Sequence, residues 1–87
     1  MSVIEELADE LANDTLIAAE KLDDPNLVDE VAGVLLAQSQ TMQEAFMTAV
    51  RVRRSARAGR RFLETKLEAA KSGQDVAPPP TADAPDL

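Results

Sequence analysis

The side chains able to do chemistry in this sequence fall into two groups of opposite sign. Near the N-terminus, Glu5, Glu6, Asp9 and Glu10 place four carboxylates on one side of a helical stretch, the donor type that hard cations prefer. No loop with alternating oxygen ligands accompanies them, so a solvated acidic face is the expected role. Between positions 51 and 61 stand six arginines and no acid. On a helix Arg53, Arg54, Arg57, Arg60 and Arg61 project from one side, while Arg51 points elsewhere. Such a basic ridge can hold the phosphates of nucleic acid or of an anionic membrane surface. Against that role stand 16 acidic side chains to 9 basic ones, a net charge of −7, and only two aromatics, Phe46 and Phe62, for bases to stack on. Arginines paired with the acidic helix, or simply solvated, are the favoured reading.

Composition closes off most catalysis. There is no histidine, cysteine, tryptophan or tyrosine, which removes disulfides, Cys/His metal sites and histidine acid–base chemistry. A glycine-rich phosphate loop, a serine-centred nucleophile elbow and a Glu-x-x-His pair are all missing from the sequence. No catalytic residue, cofactor or metal is therefore expected, and the sequence predicts a non-enzymatic protein. It carries no apolar run of about 20 residues for a membrane span and opens acidic rather than with a signal-peptide pattern. A soluble, cytoplasmic protein is the expectation.

The elements that carry these charges read as helices. Ser2 and Glu5 form a capping-box pattern, which predicts a first helix over about residues 3–22. Its main apolar face holds Val3, Ile4, Leu7, Ala8, Leu11, Ala18 and Leu22, with a weaker stripe of Ala12, Leu16 and Ala19 beside it. After the short link Asp23-Asp24-Pro25, apolar residues recur at helical spacing through Leu27, Val31, Val34, Leu35, Met42, Ala45, Ala49, Val52, Ala56, Leu63, Leu67 and Ala70. Asp24 suits a cap, Pro25 the first helical position, and Ser72-Gly73 a stop. A single long helix over residues 25–71 follows, with Ser55 to Gly59 as the place for any break. The fold class is all-α: a two-helix antiparallel hairpin with a short and a long arm over residues 1–72. Residues 73–87, with four prolines and several aspartates, read as a disordered tail, whose terminal Asp86-Leu87 is a weak match to a carboxylate-capture motif.

Unequal arms leave an apolar stripe bare. A first helix of about 30 Å covers only the first half of a second of about 70 Å, up to about Phe46. Residues Leu35, Met42, Ala45, Ala49, Val52, Ala56, Leu63 and Leu67 are accordingly the candidate dimer interface, two long helices pairing antiparallel about Thr48 to Ala49 and four helices forming one bundle. The acidic helix of one chain would then lie near the arginines of the other. The expected function is a helical interaction or assembly protein acting as a homodimer. A small nucleic-acid regulator using the basic ridge is the alternative, and a peripheral membrane element a weaker one. The expected partner is a second copy, with another protein in addition.

Overall fold

The protein is described by a computed structural model, which defines residues 2–73. The tail expected beyond Gly73, including Asp86-Leu87, lies outside the described residues. Three helices occur in order: α1 (Val3–Leu22), α2 (Leu27–Gln38) and α3 (Gln40–Lys71). The chain divides into two units, residues 1–55 and residues 56–87.

Local chemistry accounts for each boundary. The Ser2 hydroxyl accepts from the Glu5 N–H at 3.1 Å while the Glu5 carboxylate accepts from the Ser2 N–H at 3.1 Å, so the capping box is complete. α1 stops at Asp23, whose left-handed backbone (φ 52°) lets its N–H donate to the Ala19 and Glu20 carbonyls. Aspartate is among the few residues that tolerate this region. The Asp24 carboxylate accepts from the Asn26 N–H at 3.0 Å, an Asx turn that spends the residue expected to cap the next helix. α2 therefore starts at Leu27 rather than at Pro25.

The expected long helix is two helices. The chain leaves helical geometry at Ser39 (φ −162°, ψ 112°), not at Ser55 to Gly59, and α3 runs through Gly59 without a break. One residue closes α2 and opens α3. The Ser39 N–H donates to the Leu35 carbonyl at 2.7 Å, its carbonyl accepts from the Gln43 N–H at 3.1 Å, and its hydroxyl accepts from the Met42 N–H at 3.1 Å. Its hydroxyl thus supplies the N-terminal cap of α3. A two-helix hairpin is in this way replaced by three helices.

In the first unit the core joins all three. Ala8, Ala12 and Leu16 of α1, Val28 and Ala32 of α2, and Phe46 and Val50 of α3 are buried together, with Phe46 and Val50 the largest of the fully buried side chains. Thr15 is buried on the same side of α1. Each helix is rotated from the expected face. On α1 the buried line runs between the two anticipated stripes, leaving Val3, Leu7 and Leu22 exposed; on α2 it runs through Val28 and Ala32, leaving Val34 and Leu36 outside. On α3 the alanines yield to Phe46 and Val50. The reason is area: one phenylalanine removes far more apolar surface from water than an alanine does, and the small Ala8, Ala12 and Ala32 make room for it.

The second unit contains the C-terminal half of α3. Here Ala56, Leu63 and Leu67 are exposed and Phe62 is half-buried. The helix ends where Ser72 turns its hydroxyl back to the Glu68 and Ala69 carbonyls, both at 3.2 Å, and Gly73 takes φ 77°.

Two stability effects follow. Ser39→Ala removes the α3 cap and should cost about 1 kcal/mol in urea unfolding. A methyl placed on Gly59 meets no atom within 4 Å, so Gly59→Ala should gain roughly 0.8–1 kcal/mol by helix propensity; a loss there would show that α3 is not continuous at that point.

Candidate functional site

Two features of the first unit position functional groups, an ion pair and a groove. The Arg53 guanidinium donates through Nε and Nη2 to the two Asp9 carboxylate oxygens, both at 2.8 Å, and through Nη1 to the Asn13 amide oxygen at 3.1 Å. A planar fork matched to a carboxylate is the geometry that arginine provides and lysine cannot. Asp9 and Asn13 lie one turn apart on α1, so the fork holds α3 to α1 at a defined place. Both side chains remain about a third or more exposed, 34% for Arg53 and 41% for Asp9.

This pair revises the expected charge pattern. The acidic helix does meet the arginine run, but inside one chain: Asp9 reaches Arg53, seven residues past the Phe46 limit set for a straight hairpin. The bend at Ser39 is the cause, since it brings a later part of α3 to α1. Accordingly the five-residue basic ridge is not one uniform surface. Arg53 is engaged and half-buried, Arg57 is half-buried and also has an interaction partner, and Arg54, Arg60 and Arg61 are exposed.

The groove is a concavity of about 460 Å³ whose lining includes Glu5 and Asp9 from α1 and Glu44, Ala45, Ala49 and Val52 from α3. It is open to solvent, and Val52 is 61% exposed. Charged walls over a small-residue floor suit the side of another helix better than a small molecule, for which convergent polar groups in an enclosed pocket are the norm. The candidate interface residues divide around it. Leu35, Met42, Ala45 and Ala49 pack partly against the chain's own core, whereas Val52, Ala56, Leu63 and Leu67 are exposed.

The four N-terminal carboxylates are not gathered as a cation site: among the described residues no group of three or more His, Cys, Asp or Glu side chains could hold a metal ion. Among the same residues no helix is long and apolar enough to cross a membrane. The chain matches no protein-family model, no curated protein and no solved structure.

Sequence reasoning identified Asp9 and Arg53 as members of charge clusters but not as a pair, and it missed Asn13. The spacing Asp9-x-x-x-Asn13 was the available signal, two acceptors on one helix face able to take the three donor edges of an arginine.

The pair carries a pH signature. Hydrogen bonding from Arg53 is the main cause, followed by a smaller opposing effect of desolvation and a further Coulombic pull, holding the Asp9 carboxyl below its ordinary value of 3.8. A carboxyl depressed in the folded state stabilises the fold above its unfolded value and loses that contribution as pH falls through the folded value. Asp9→Asn should therefore lower the urea midpoint near neutral pH, with the gap to the native protein closing as pH is taken well below 3.8. An equal gap at every pH would contradict the ion pair.

Proposed function

We propose that the protein is a non-enzymatic helical interaction module that assembles as a homodimer through α3. The observation that carries this reading is the exposed apolar side of α3: Val52 is 61%, Leu63 48% and Leu67 55% exposed, next to the side that carries Arg53 and Arg60 and beside small residues that allow close approach. The core of the first unit uses Phe46 and Val50 and leaves this side free. Covering each large side chain is worth about 1.5–3 kcal/mol, and a second copy presents the same side. Pairing of two α3 helices with a two-fold axis near Thr48 to Ala49 gives the closed, self-complementary contact that soluble homodimers favour. Each chain then contributes a folded first unit, and the assembled α3 pair is the shared element of a helical bundle.

Sedimentation equilibrium at micromolar concentration should give twice the 9.4 kDa chain mass. Replacing Val52 or Leu63 by Glu should weaken the dimer by about tenfold or more while leaving the helix content unchanged. A monomer at that concentration would remove the reading. Titration of labelled duplex at two salt concentrations addresses the regulator alternative: tight, salt-steep binding lost on charge reversal of Arg54, Arg60 and Arg61 would replace it.

A further inference from the structure

Resting on the homodimer reading, the geometry points to α3 of the second copy as the occupant of the groove, held in register by two reciprocal pairs of Glu44 with Arg51. The groove's charge is the starting point. Asp9 is already matched by Arg53 of its own chain, and the Glu5 carboxylate serves the α1 cap. Glu44 is exposed and its carboxylate accepts from the neutral Gln40 amide at 3.2 Å, so its charge is unmatched by a cation among the described residues. The occupant must bring a cation to this edge and small side chains to the floor formed by Ala45 and Ala49.

α3 itself meets both requirements. Glu44 and Arg51 are seven residues apart, two helical turns, and so lie on the same flank of the helix next to the Ala45, Ala49 and Val52 side. Arg51 is exposed and stands apart from the side of α3 that carries Arg53. When two copies pair antiparallel about an axis near Thr48, each Glu44 is brought to the other chain's Arg51, and Ala45 faces Val52. Two-fold symmetry makes the contact occur twice. Parallel pairing would carry this flank of the two helices to opposite sides of the seam and forgo both pairs, so the two residues favour the antiparallel orientation.

The test uses the full chain. Glu44→Arg and Arg51→Glu should each weaken the homodimer about tenfold, two lost exposed pairs and two like-charge contacts replacing them. Mixing the two single variants should restore the native affinity to within about twofold, because the heterodimer regains both pairs, one with the native sign and one with the sign reversed. Circular dichroism provides the folding control, since both positions are exposed. Variants that dimerise as the native chain does, or that fail to recover on mixing, would overturn this register and leave the dimer in place. A native chain that is monomeric would remove the dimer reading, and this inference with it.

Discussion

One non-helical residue governs this molecule. Ser39 takes extended geometry while remaining hydrogen-bonded on both sides, to Leu35 before it and to Met42 and Gln43 after it. The chain leaves helical geometry there while Ser39 makes three hydrogen bonds, which offset part of the cost that two abutting helix ends impose. Everything that closes the first unit depends on that change of direction. It brings Phe46 and Val50 onto the alanines of α1 and α2, and it brings Arg53 to Asp9 and Asn13.

Those contacts divide the labour between the two sides of α3. The side bearing Phe46, Val50 and Arg53 is used within the chain, with shape set by the phenylalanine and position fixed by the guanidinium fork. The neighbouring side, with Ala45, Ala49 and Val52, forms one wall of an open groove. A chain of 87 residues buries a modest core, and here that core is three alanines, one leucine and two valines around one large aromatic. Further burial would have to come from another surface, which is the physical ground for the proposed assembly through α3.

What the sequence revealed follows from how local each signal is. The Ser2/Glu5 capping box, the helical class and the Ser72-Gly73 stop all depend on neighbouring residues, and they read correctly. Ser39 is hidden in the sequence because the apolar stripe continues in phase from Leu35 to Met42 across it. The available clue was the unbroken polar run Gln38-Ser39-Gln40-Thr41, long enough to mark a connection, with a serine placed to cap. Once one residue leaves the helix, every face beyond it is reset, so Met42, Ala45 and Ala49, central to the stripe in the sequence, flank the core in the fold. The choice of Arg53 from six arginines was not legible, since it depends on the bend angle and on Asn13, both tertiary facts.

The most direct measurement is isotope-filtered NMR on an equimolar mixture of labelled and unlabelled chains, which separates contacts between copies from contacts within one. Cross-chain signals should connect Ala45, Ala49 and Val52 and be missing from Phe46 and Val50, whose partners lie in their own chain. Cross-chain signals at Phe46 or Val50 would mean that the core itself is shared between copies, and silence at Val52 would mean that no second α3 lies on the groove; either result contradicts the division of α3 into an inner and an outer side.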